Sequence, residues 1–179
     1  MIFMETHQLG WKPMKTSFIA SLPPAFTDEQ KSLLDDLFDW LVPGCLKVLP
    51  SYTLYIKFSE VHLFRCLVQL FSAVIGVQKL KEGKEAVDTI YMQMVFLFSV
   101  LWGLCSSLTK EGKPKFDIHF RNLLDGLVKG HSKPISFKLA RSNLYPETGN
   151  VFEYMLNPDN PTSWCTWQDQ VQRRRRGIL

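Results

Sequence analysis

No two cysteines of this 179-residue chain have the CxxC spacing of a structural zinc site: Cys45, Cys66, Cys105 and Cys165 lie 21, 39 and 60 residues apart. Cys66 and Cys105 stand in apolar runs and read as small core residues, which fits a reducing compartment. The four histidines, His7, His62, His119 and His131, are too scattered to form a metal set, and His119 reads as a surface or boundary residue of an amphipathic helix. GxSxG, HExxH and paired-carboxylate signatures are absent, so no hydrolase or metalloprotease centre is visible. A phosphate loop is missing too. In "GVQKLKEGKEA", Gly76 and Gly83 are separated by six residues rather than four. Glu85 follows Lys84 where the magnesium-binding Ser or Thr would stand, so the stretch reads as a lysine-rich linker. The N-terminus "MIFMETHQLGW" lacks a basic region and reaches Glu5 at once, so no secretory signal is expected.

Charge of one sign is also scarce in the body. There are 21 basic and 17 acidic residues, and Arg173 to Arg176 account for the whole difference: without these four, 17 basic residues face 17 acidic ones. The case for nucleic acid rests on this terminal run alone. It reads as a solvated basic tail over 171–179, and no specific nucleic-acid partner is expected.

A long uncharged run is present. Ile90 to Leu108 holds 19 residues without a charge, 14 of them apolar. As a helix it would reach roughly 28 Å, near the thickness of a bilayer core. Gln93 interrupts the run, lysines flank both ends equally, and the neighbouring helices are amphipathic. Hydrophobic content of 46% and a mean hydropathy of −0.04 are those of a globular domain. The run is therefore expected as a buried helix packing through Phe96, Leu97, Val100, Leu101 and Leu104, with a single-pass span over 90–108 as the alternative. Ser99, Gly103, Ser106 and Ser107 would make a face of small residues along it.

Four helices are legible. The first of these has capping-box spacing at Thr27 and Gln30, acidic residues in its first turn, and a stripe from Leu33 through Leu46; Pro43 should kink or break it. The second starts at Ser59 and carries Leu63, Phe64, Leu67, Val68, Phe71, Val74 and Ile75 on one face, with Arg65 and Gln69 off it. The third runs from about Glu85 to Leu108. The fourth puts Phe116, Phe120, Leu123, Leu124, Leu127 and Val128 on one face, and Gly130 is its expected stop. Four prolines then fall between Pro134 and Pro161, and Ile135–Leu139 and Val151–Leu156 read as short strands among loops. A boundary is expected near 130–135, and the fold class is mainly α.

Several segments resemble dynein heavy chains. "MIFMETHQLGWKP" resembles the stretch leaving the large subdomain of the second AAA+ module. "LFDWLVPGCLK" resembles a helix of that module's small subdomain. "FLFSVLWGL" followed by "GKPKFDIHFRNLL" resembles its most recognisable part, and "LYPETGNVFEYML" with "SWCTW" resembles the opening of the third module. They occur in family order, and the nearest likeness is to an axonemal, inner-arm type chain.

The resemblance implies a helical AAA+ small (lid) subdomain over 1–130, a strand/loop lead-in to the third AAA+ module over 131–170, and the basic tail over 171–179. It implies a non-catalytic lid and relay element of a microtubule-based ciliary motor. ATP and Mg would be bound by the full-length protein, in phosphate loops before Met1 and after Leu179, and by none of this chain alone. Partners would be the adjacent AAA+ modules, intermediate and light chains, and microtubules, in the axoneme of a cilium. An arginine early in a small-subdomain helix of this family reaches nucleotide phosphates. His62 stands near that position, either as a phosphate neighbour or as an ordinary first-turn residue. Two stretches depart from the family: "VLPSYTLYIKFSE" is aromatic where a basic, cysteine-containing segment is usual, and Pro114 replaces a basic residue. "QRRRRGIL" does not look like the family's continuation, so a truncated product, an alternative transcript or a partial gene model is expected. A helical protein-interaction adaptor is the other reading.

Overall fold

The computed structural model describes residues 10–76 and 86–177. The stretch Met1–Leu9, His7, the lysine-rich linker and the expected helix start at Glu85 lie outside them. Among the described residues there are six α-helices: α1 (Lys12–Ala20), α2 (Asp28–Leu46), α3 (Glu60–Ile75), α4 (Thr89–Leu104), α5 (Gly112–Leu124) and α6 (Trp167–Arg175). One hairpin pairs β1 (Tyr154–Leu156) with β2 (Trp164–Thr166), antiparallel, with Met155 opposite Cys165. The fold is mainly helical with this small two-stranded sheet.

The start of α2 follows from Thr27, whose hydroxyl accepts the Gln30 N–H (3.2 Å) while Gln30 Oε1 accepts the Thr27 N–H (3.1 Å). The Gln30 amide also donates to the Val87 carbonyl (2.7 Å) and Thr89 Oγ1 (2.9 Å), which ties the head of α2 to the head of α4. Pro43 does not break the helix, which runs on to Leu46. The ring removes one backbone donor, but Trp40, Leu41, Val42, Gly44, Cys45 and Leu46 are all buried around it, and burial of that many groups outweighs one lost bond.

Ser59 caps α3 by accepting the His62 N–H (3.3 Å), and Gly76 ends it in the left-handed region at φ 74°. Five of the seven expected stripe residues are buried; Val68 and Val74 are half-buried at its edge. Cys66 is half-buried rather than a core residue, whereas Cys45 and Cys105 are fully enclosed.

α4 is shorter than the uncharged run. Asp88 accepts the Tyr91 N–H (2.7 Å) and starts the helix at Thr89, and it stops at Leu104, so Ser106 and Ser107 leave the small-residue face. Beyond it the chain turns, and Leu108 bridges Leu54. Phe96, Leu97, Val100, Leu101 and Leu104 are all completely buried, as the pattern required. Gln93, the one strongly polar residue of the run, is buried with its amide on the Thr89 carbonyl (3.1 Å). Among the described residues no helix is long and apolar enough to cross a membrane. The span over 90–108 is not favoured.

α3 and α4 pack closely: a Cβ added at Gly103 would lie 2.5 Å from Leu67 Cα. α5 ends at Leu124 with Gly126 (φ 75°) behind it, not at Gly130, because Leu127 is exposed and further turns would bury little. Ile135–Leu139 is not a strand. Ile135 is exposed, while Phe137 stacks edge-on against Trp40 (5.0 Å), and Ser136 Oγ donates to Asp36 (2.6 Å). Val151–Leu156 begins as a 3₁₀ turn at Val151–Glu153 before β1. The run read as a tail is helical through Arg175, and Arg173 to Arg176 are exposed.

Lys15 on α1 is a buried cation, its side chain 9% exposed, 2.7 Å from Asp35 and 2.8 Å from Asp39 on α2. Burial works to lower its pKa, but the two carboxylates together outweigh that and hold it above the usual 10.5. A raised pKa stabilises the fold fully below the unfolded value and loses that contribution as pH climbs through the folded one. Urea midpoints should therefore hold below about pH 10 and fall above it. The fall should be smaller in Lys15→Met; an equal fall in both proteins would show that Lys15 is not the group concerned.

Candidate functional site

The segment over 146–151 is fastened to α5 by one polar joint. Asp117 and Arg121 stand four residues apart, acid first, the favourable order for a helical pair. Asp117 Oδ1 accepts from Arg121 Nε (3.1 Å) and from the Val151 N–H (2.8 Å). Arg121 then uses its two remaining nitrogens on the loop, Nη1 to the Pro146 carbonyl (2.8 Å) and Nη2 to the Gly149 carbonyl (3.2 Å). The Arg121 side chain is 23% exposed and that of Asp117 14%, so water competes little for these bonds apart from the exposed one to Gly149.

The loop is shaped to be read this way. Gly149 turns at φ 70°, Asn150 accepts the Phe152 N–H (3.0 Å), and the Tyr154 hydroxyl donates to the Thr148 carbonyl (2.6 Å). Apolar contacts back the joint on both sides. Phe152 meets Trp102 of α4 edge-on (5.6 Å) and Phe116 of α5 (6.2 Å). Tyr145 meets Phe120 (6.2 Å) and stacks on Trp164 at 4.1 Å.

A cleft of about 520 Å³ opens beside the joint, with Leu139 and Tyr145 on its floor and Arg121, Arg141 and Glu147 on its rim. Burial pushes the Tyr145 hydroxyl well above its usual range against the pull of Arg121. Burial likewise pushes the Cys105 thiol well up, reinforced by its contact with Cys45. Both groups stay protonated at neutral pH, which suits neither a base nor a nucleophile. Among the described residues no three His, Cys, Asp or Glu side chains come together to hold a metal. The arrangement holds two pieces of chain in register.

His62 lies elsewhere, exposed on the first turn of α3. Its ring stacks over Phe58 (4.8 Å), and only its backbone N–H is engaged, by Ser59. Arg65 and Gln69 follow at i+3 and i+7, both exposed, on the side of α3 away from its buried stripe. With Met14, Phe64 and Val68 they line a shallow hollow of about 200 Å³. The sequence reading placed Arg65 and Gln69 off the apolar stripe but attached no role to them. Asp117 and Arg121 are missed by the sequence reading, although their four-residue spacing is visible there.

A family model described as the dynein heavy chain AAA lid domain matches residues 34–169. Dynein axonemal heavy chain 3 of Homo sapiens is 33% identical over 188 residues, covering 99% of this chain and 5% of that protein. Dynein axonemal heavy chain 12 of Mus musculus is 29% identical over 180 residues, covering 96% and 6%. The Dynein-1-beta heavy chain, flagellar inner arm I1 complex, of Chlamydomonas reinhardtii is 22% identical over 213 residues, covering 96% and 4%. The chain thus spans about one twentieth of the length of these relatives.

Proposed function

This chain belongs to the dynein heavy chain AAA lid domain family, and we propose that it acts as the lid and relay between two AAA+ modules of an axonemal, microtubule-based motor. The helical body over 1–130 is the lid of the preceding module. The stretch 131–170 leads into the following one. ATP and Mg belong to the large subdomains on either side, the adjacent modules are the immediate partners, and intermediate and light chains and microtubules are reached through the whole heavy chain. The axoneme of a cilium is where it works; the relatives' names support that.

The observation that carries the relay is the joint of Asp117 and Arg121. Four hydrogen bonds meet on one helical turn of the lid, one between Arg121 and Asp117 themselves and the rest on the backbone of 146–151. Three of them cross to the loop, and backbone held this way moves with α5. A displacement of the lid therefore reaches the next module through the peptide itself. The exposed side of α3, with His62, Arg65 and Gln69, is the face offered to the nucleotide of the preceding module, where His62 sits as a phosphate neighbour.

The test joins this chain to both flanking large subdomains. Mg-ATP added to the preceding module should change the hydrogen exchange of the Val151 amide. Arg121→Ala should abolish that change while leaving nucleotide affinity intact, because coupling and binding are separate free energies. In the control arm the chain alone should bind Mg-ATP more weakly than about 1 mM, or less than roughly 4 kcal/mol. Micromolar binding by the chain alone would overturn the lid assignment; an unchanged Val151 response in Arg121→Ala would overturn the relay.

A further inference from the structure

We propose that the outer stripe of α6 is a docking surface for an acidic protein segment that carries apolar side chains among its carboxylates. Trp167, Val171, Arg174 and Arg175 fall at i, i+4, i+7 and i+8, which is one stripe of a helix. Trp167 rests against Trp102 (5.9 Å) and Phe98 (6.5 Å) yet stays 41% exposed, and Val171 is 50% exposed. The inner side is occupied differently: Gln170 is buried with its amide on Cys165 Sγ (3.5 Å). So α6 is already anchored, and the stripe facing outward is unused.

Charge names the partner. Since 17 basic residues outside 173–176 balance 17 acidic ones, the whole net charge of +4 is gathered at one end of this helix. Among the described residues, Asp159 is the acidic partner of Arg173, and Arg174, Arg175 and Arg176 have none. The helix C-terminus favours cations, which accounts for arginines there but not for the apolar residues continuing their stripe. Arginine forks match carboxylates, and Trp with Arg is the composition of a protein-binding anchor. A nucleic-acid backbone would have no use for Val171. A membrane-surface helix needs a broader apolar face than two residues supply.

The experiment titrates the full 179-residue chain into a short labelled peptide of alternating Glu and Leu, into polyglutamate of equal charge, into single-stranded RNA, and into vesicles containing phosphatidylserine. The alternating peptide should bind about ten-fold tighter than polyglutamate, a difference of about 1.4 kcal/mol. Val171→Ser should erase most of that advantage. R174E/R175E should weaken binding at least as much with the thermal midpoint unchanged, and added salt should do the same to the wild type. R174Q/R175Q serves where charge reversal disturbs the helix. Equal binding of the two peptides, tighter binding to RNA or vesicles, absence of binding, or indifference to the arginine changes would each overturn the proposal.

Discussion

Replacing Gly103 with valine is expected to cost about 3 kcal/mol or more, enough to leave the domain poorly folded at physiological temperature. The new Cβ would meet Leu67 Cα at 2.5 Å and Leu67 N at 2.7 Å. These are backbone atoms, so no rotamer change relieves the clash; α3 and α4 must move apart. Beneath that crossing Phe71 and Phe96 are in contact (6.0 Å), so separation also loosens the aromatic core. Gly44 is the control. Its added Cβ would meet the Leu123 side-chain tip at 2.8 Å, and a side-chain tip can swing away. Urea unfolding of Gly103→Val and Gly44→Ala should separate the two clearly. A loss below about 1 kcal/mol at Gly103 would show that the helices have room to spare.

Phe38→Ala should lose about 3–5 kcal/mol, the usual range for emptying a buried aromatic site. Phe38 has no exposed surface and meets rings from three other helices: Phe18 of α1 (6.0 Å), Phe64 of α3 (5.4 Å) and Phe96 of α4 (4.7 Å, nearly perpendicular). Removing it leaves a void whose walls belong to different helices, so no single side chain can fall in and fill it. Ile118→Ala, at an exposed position of α5, should stay within about 0.5 kcal/mol. Thermal unfolding of the pair checks this; comparable losses would mean that the core is not centred on Phe38.

How legible the fold was depended on how far apart the deciding groups stand. The caps at Thr27 and Ser59 were readable because each is a contact within three residues. The buried face of α4 was readable because apolar spacing alone fixes it. Pro43 does not break α2, since its effect on the helix is decided by the packing around it. Ile135–Leu139 has the composition of a strand, yet among the described residues no strand pairs with it, and Ser136 and Phe137 are instead claimed by Asp36 and Trp40. Gly130 is the expected stop of α5, yet the helix ends at Leu124, because Leu127, which extends the apolar spacing, is exposed.

The candidate site was half visible. The four-residue step from Asp117 to Arg121 is in the sequence, but their targets are the carbonyls of Pro146 and Gly149 and the N–H of Val151. Backbone groups carry no residue-type signature, so only the fold reveals them. For His62 the sequence supplied its place after the Ser59 cap but not the stacking of its ring on Phe58.

The bonds onto α2 set an order for synthesis. That helix is held by Lys15 before it, but also by Gly44 accepting from His119, and by Asp36 accepting from Ser136, 100 residues further along the chain. At roughly 5–20 residues per second, a ribosome releases Asp36 about 5–20 seconds before its partner. Throughout that interval the flank of α2 around Trp40 is bare, and it is the flank that Phe137 later covers. Helix α2 therefore gains its last partners only when Ser136 and Phe137 leave the exit tunnel, and until then the nascent chain presents an aromatic surface of the kind that chaperones bind.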